Sequence, residues 1–173
     1  MGLLLVNTGD GKGKTTAALG LALRMAGHGR RVLIIQFMKR EGDAGEYAAV
    51  RCLAPLVSLW PRGLGFVPSP ASPEFQAHRF AAQEALSLAD AALCSDEYAL
   101  VVLDELSCAV HFGLIAVDDM LRTLAGRHPT VHVLVTGRSA HSRLVDCADM
   151  VTEMRCVKHH FDSGVDAQEG IEF

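Results

Sequence analysis

Thr8-Gly9-Asp10-Gly11-Lys12-Gly13-Lys14-Thr15-Thr16 stands between a short apolar run, Leu3 to Val6, and a stretch rich in alanine and leucine that begins Ala17-Ala18-Leu19. The order reads strand, glycine-rich loop, helix, which is the setting a phosphate-binding P-loop requires. Glycines let the backbone turn tightly and aim successive N–H groups at one anion. The helix start adds its unpaired N–H groups and the positive end of its dipole. Lys14 is placed to reach a β- or γ-phosphate, and the Thr15 hydroxyl to ligate Mg²⁺. The pattern Gly-x-x-x-x-Gly-Lys-[Ser/Thr] asks for glycine where this chain has Thr8; Gly9 and Gly11 supply it one and three places later.

Outward from this loop the chain alternates. The first helix is expected to run to about Ala26, ended by Gly27 and Gly29, and Val32 to Phe37 reads as a buried strand. Lys39 to Gly45 reads as a loop at that strand's C-terminal end, where open α/β sheets hold their ligands. A short helix over Glu46–Leu53 and a strand over Val57–Trp60 follow. Pro61 to Pro73 is irregular and long enough to be functional or mobile. Ser72 and Pro73 then fit the cap and first turn of a helix reaching Cys94, with Phe75, Phe80, Ala81 and Leu88 as buried candidates.

Leu100-Val101-Val102-Leu103-Asp104-Glu105 is a hydrophobic strand ending in acids, the pattern that holds Mg²⁺ directly or through water. Asp118-Asp119 opens a helix to about Ala125, and Val131 to Thr136 is a strand with Gly137-Arg138 at its end. A short helix over Ser142–Cys147 and a last strand over Met150–Arg155 precede a polar tail, Lys158 to Phe173. His159 and His160, if extended, point to opposite sides and hold no metal together. Alternating strands and helices imply right-handed βαβ units. The expected fold is therefore a single α/β domain over residues 1–173, P-loop NTPase-like (RecA-like), with a mainly parallel sheet and helices on both faces. The P-loop, Lys39, Asp104, Glu105 and Arg138 then meet at one crevice.

Composition narrows the function. Of 173 residues half are hydrophobic and the net charge is −4, so the chain is globular and carries no basic stripe for nucleic acid. Five cysteines without a Cys-x-x-Cys pair argue against a disulfide framework or structural zinc and fit a reducing cytoplasm. No signal peptide is expected, and no apolar run approaches the ~20 residues that span a bilayer. On residues alone, the site binds a magnesium nucleoside triphosphate. Phosphoryl chemistry is the default, with Glu105 positioning water and Arg138 stabilising charge.

The assembled motifs resemble one family: the P-loop type of ATP:corrinoid adenosyltransferase. They are Thr8 to Ala18, Gln36-Phe37-x-Lys39, Leu103-Asp104-Glu105-Leu106 and Thr136-Gly137-Arg138-x-x-His141. The tail joins them as Val157-Lys158-His159-x-Phe161-x-x-Gly164-Val165-x-Ala167-Gln168-x-Gly170-Ile171-Glu172-Phe173. The resemblance covers the whole chain in order. It implies that a corrinoid Co(I) centre attacks C5′ of ATP and expels triphosphate, so the corrinoid carries the hard chemistry. Thr8, Gly9, Asp10, Gly11, Lys12, Gly13, Lys14, Thr15 and Thr16 would then cradle a leaving group, with Lys39 as a further ligand contact. Thr15, Asp104 and Glu105 would serve Mg²⁺, and Lys14, Glu105 and Arg138 would be the catalytic set. Gly63-x-Gly65-Phe66 matches the loop whose aromatics displace the corrinoid's lower ligand, although Pro68 stands where tryptophan is found in the family. The resemblance also implies a homodimer and a reducing flavoprotein partner. Two other readings stay open: an ATPase or kinase releasing ADP, and a nucleotide- or corrinoid-binding module without turnover.

Overall fold

Short runs rich in β-branched and leucine residues, too brief for helices, form most strands of the sheet. The computed structural model describes residues 1–42 and 45–172, so two positions of the Lys39–Gly45 loop, Asp43 and Ala44, and the final Phe173 lie outside it. The strands are β1 (Leu4–Thr8), β2 (Val32–Gln36), β3 (Val57–Pro61), β4 (Leu100–Asp104), β5 (His132–Thr136) and β6 (Met150–Glu153). The helices are α1 (Lys14–Gly27), α2 (Glu46–Arg51), α3 (Phe75–Cys94), α4 (Leu106–His111), α5 (Val117–Ala125) and α6 (Ser142–Cys147), with a 3₁₀ turn at His160–Ser163. The described strands form one sheet in the order β3-β2-β4-β5-β1-β6, and every pairing in it is parallel.

Both faces of the sheet are covered, as its continuous apolar strands require. Val32, Ile34, Leu100 and Val102 pack against Ala18, Ala22 and Ala26 of α1 and Val50 of α2. The three alanines recur every four residues, so α1 presents a smooth stripe that lies close to the sheet. Leu33, Ile35, Val101 and Leu103 point the other way, into a larger core shared with α3, α5 and α6. Register levels the strand ends: Gln36 pairs with Asp104, and Asn7 with Thr136. The C-terminal edge is therefore one shelf.

Several boundaries differ from expectation. Helix α3 begins at Phe75; Ser72 and Pro73 form a preceding turn, in which Glu74 N donates to Ser72 Oγ at 3.3 Å. Phe80 is not buried but 62% exposed. Five residues turn the helix about 140° from Phe75, off the inner stripe of Ala82, Ala85, Leu86, Ala89 and Leu93. Leu88 is partly buried against the core. Strand β6 stops at Glu153, because Met154 and Arg155 turn onto the glycine-rich loop, and all four of its residues are exposed at the sheet edge. Helix α4 has too few turns for its periodicity to be read in sequence.

Candidate active site

Strand β1 delivers the chain to the loop, and the returning segment after β6 clamps it. Met154 N donates to Thr8 O at 2.8 Å, and Gly11 N to Met154 O at 2.7 Å. Gly9 has φ of 92°, and a Cβ there would lie 2.4 Å from Met154 O, so only glycine fits. Gly13 caps α1 in the left-handed region. Helix α1 has no side-chain cap and no acidic residue in its first turn. Its positive end therefore faces the crevice with no capping side chain and no acid of its own first turn.

Behind the loop sits Lys14, 7% exposed. Its Nζ donates to Gly9 O at 2.6 Å and Gly11 O at 2.7 Å. Burial pulls its pKa below the ordinary lysine value; Glu105 opposes that shift and Arg138 adds to it. Thr15 Oγ1 donates to Asp104 Oδ1 at 2.8 Å. Thr136 Oγ1 donates to the same oxygen at 2.7 Å, and Gln36 Nε2 to Asp104 Oδ2 at 3.1 Å. Asp104 is wholly buried but fully hydrogen-bonded. A carboxylate beside a hydroxyl is a hard oxygen set, which suits Mg²⁺. With both carboxylate oxygens already engaged, Thr15 and intervening water are the direct route to such an ion.

Glu105 follows with φ of 62°, a conformation uncommon outside glycine and frequent at functional sites. Its N–H donates to Thr136 Oγ1 at 2.9 Å. Arg138 N donates to Cys108 Sγ at 3.3 Å, tying the end of β5 to α4. Burial, with Glu105 nearby, pushes the Cys108 thiol up to about 12.

These groups surround a cavity of about 600 Å³, within the size range of small-ligand sites. Asp10, Gly11, Lys12, Gly13, Lys14, Thr15, Thr16, Lys39, Glu105 and Arg138 line it, as the sequence suggested. Thr8 and Gly9 lie behind it: Thr8 Oγ1 accepts from Ala140 N at 3.2 Å. Asp104 is not among the lining residues but accepts from Thr15, which is. Phe66 is 93% exposed on a separate loop, which is held by Gly63 N to Lys39 O and Gly65 N to Met38 O. His141 caps α6 by accepting from Arg143 N, a structural task.

Sequence reasoning missed four contributors. Glu46 binds Lys39 Nζ at 2.5 Å. Burial alone would raise the Glu46 pKa, but the Lys39 hydrogen bond and charge hold it below the ordinary carboxylate value. His159, Ile171 and Glu172 come from the tail. The tail's Gly-rich motif was the available signal, but its folding back was not readable. His159 and His160 are not on a strand: they enter the 3₁₀ turn and stack at 4.6 Å with 26° between ring planes.

A parallel α/β sheet whose loop, acids and basic groups converge beyond the strand ends defines a protein of the doubly wound, ligand-binding class. Comparison with known proteins narrows that class. The chain belongs to the ATP:corrinoid adenosyltransferase BtuR/CobO/CobP family, whose sequence model matches residues 1–173. It is 40% identical to the corrinoid adenosyltransferase of Pseudomonas aeruginosa over 99% of this chain and 84% of that one. It is 36% identical to corrinoid adenosyltransferase CobA of Salmonella typhimurium, over 99% and 86% respectively. Among solved structures, the flagellar accessory protein FlaH of Methanocaldococcus jannaschii superposes with a TM-score of 0.58 at 13% identity, covering 88% of this chain and 70% of that one. That last likeness concerns the fold alone. Family membership makes the chain an enzyme, a corrinoid adenosyltransferase of cobalamin biosynthesis or salvage.

Proposed function

We propose that this crevice holds ATP so that triphosphate is the leaving group. The corrinoid's Co(I) supplies an electron pair to C5′ of ATP, the Co–C5′ bond forms, and the C5′–O bond breaks with its electrons left on triphosphate. The observation that carries this reading is the uncapped N-terminus of α1 in the same crevice as Lys14, Lys12 and Arg138. Such donors, fixed before the reaction, stabilise charge as it develops on the departing oxygen. Lys14 now bonds two loop carbonyls and is poised to exchange them for phosphate oxygens. Thr15, with Asp104 behind it and Glu105 alongside, would hold Mg²⁺, which supplies further charge neutralisation when bound. Lys39, fixed by Glu46, would face the nucleotide's other end.

Phe66 is the residue we assign to the corrinoid. Its exposure on a hydrogen-bonded loop supports a ligand-facing role, since a large aromatic held in water is otherwise unfavourable. The family likeness supports a homodimer, a flavoprotein reductant and a cytoplasmic location. We assign residues 1–173 to one RecA-like P-loop domain; β5 lying between the P-loop strand β1 and the acidic strand β4 supports this.

The test is anaerobic incubation with ATP and chemically reduced corrinoid. A light-sensitive adenosyl product and inorganic triphosphate, in equal amounts, are expected. ADP and phosphate without that product would identify an ATPase instead.

A further inference from the structure

The tail brings together a group to which the proposed transfer assigns no step. His159, His160 and Glu172 each offer a ligand atom, and these atoms lie within 4.8 Å of one another. Two of them lack what burial normally demands. His160 Nε2 and Glu172 Oε1 are buried and have no hydrogen-bond partner among the described residues. Buried polar atoms without partners are rare in folded proteins, and an ion is one standard reason for them. His160 Nε2 lies 3.9 Å from Glu172 Oε2, too far for a hydrogen bond. That second oxygen is instead taken by Gln168 N at 2.8 Å, which fixes the carboxylate and leaves Oε1 facing only the Lys12 ammonium at 3.5 Å. The stacked imidazoles present two nitrogen-bearing edges side by side.

We propose that His159, His160 and Glu172 form a zinc-type divalent metal site at the crevice rim. Two imidazoles and one carboxylate are a borderline donor set, suited to Zn²⁺ and its neighbours over Mg²⁺ or Ca²⁺. Tetrahedral bonds of about 2.0–2.1 Å place ligand atoms about 3.4 Å apart, so the three groups close around an ion by side-chain rotation. His159 Nδ1 accepts a long bond of 3.3 Å from Phe161 N, so the ring gives up little to ligate. Lys12 Nζ lies 3.5 Å from Glu172 Oε1 and competes for it, but this lysine is 41% exposed and swings clear. Three protein ligands leave a position open. His159 and Glu172 also line the crevice, so that position faces it and takes an anionic oxygen or water. The site is built wholly from tail residues. It rests on the tail's geometry and stands or falls separately from the nucleotide pose.

The test uses full-length, metal-free, nucleotide-free protein titrated with Zn²⁺ by calorimetry and with Co²⁺ by visible absorption. One equivalent should bind, with the d–d bands of four-coordinate nitrogen and oxygen ligation and no thiolate charge transfer. His160→Ala and Glu172→Gln should each weaken binding at least tenfold, whereas Thr15→Ala should leave the Zn²⁺ affinity unchanged. His160→Gln, which keeps the bulk of the turn, serves if His160→Ala unfolds. Thiolate bands, equal affinity in the histidine and glutamate variants, or an equal loss in Thr15→Ala would each overturn the site.

Discussion

Among the described residues lining the crevice, Lys14 alone carries a buried ammonium, and two loop carbonyls hold it there. A hydrogen bond to a charged group is worth about 1.5–3 kcal/mol. Lys14→Ala should therefore lower ATP affinity at least about tenfold by calorimetry, with the circular dichroism spectrum retained. Thr15 and Glu105 are assigned to one ion, so their effects should not be independent. Thr15→Ala and Glu105→Gln should each weaken the Mg²⁺ dependence of turnover, and the double variant should lose less than the product of the two; simple multiplication would separate them. Cys108 offers a check on the buried side of the same wall. Its thiol is pushed up to about 12, so near neutrality it holds its proton and presents almost no thiolate. Cys52, Cys94, Cys147 and Cys156 are exposed. A disulfide reagent at neutral pH should titrate these four quickly and the fifth only after unfolding.

At the scale of elements, the glycine-rich loop is shaped from behind as much as from the ligand side. Gly9 has positive φ and the returning backbone of Met154 against it, while Gly20, in the middle of α1, has open space. Gly9→Ala should destabilise by more than about 1 kcal/mol in chemical denaturation, since alanine resists positive φ. Gly20→Ala should stabilise by about 0.8–1 kcal/mol, the helix-interior difference between these residues. The loop after β3 carries a functional prediction. Phe66→Ala should impair adenosylation strongly when a weak reductant starts from Co(II)cobalamin, and far less when Co(I) is supplied ready-made. Equal losses in both assays would assign Phe66 to binding or folding.

For the whole molecule, the chain of 18.6 kDa should behave in light scattering as twice that mass, in line with the proposed homodimer. Phe80 and Phe112 both expose large apolar area, which an assembled form would cover. A monomer at assay concentration with full activity would remove the dimer from the mechanism. Among the described residues no helix is long and apolar enough to cross a membrane.

Much of this was legible in the linear chain. Apolar runs such as Leu100–Leu103 and the Gly-Lys-Thr junction are local patterns, and backbone geometry turns them directly into strands, loop and helix start. Parallel pairing then forces the strand ends to one edge, so Lys14, Thr15, Glu105 and Arg138 were predictable as neighbours. Phe80 shows the limit: helix formation was readable, but which side faces the sheet depends on packing phase. Glu46 as the partner of Lys39, and the saturation of Asp104 by Thr15, Thr136 and Gln36, needed side chains from four elements in register. The tail needed most. Its residues carry too little apolar periodicity to announce a path, so only tertiary contact with the loop decides that Glu172 meets Lys12 and His159 reaches the crevice. Local propensity determined what each segment is; long-range contacts, which no short window contains, decided what the last segment is for.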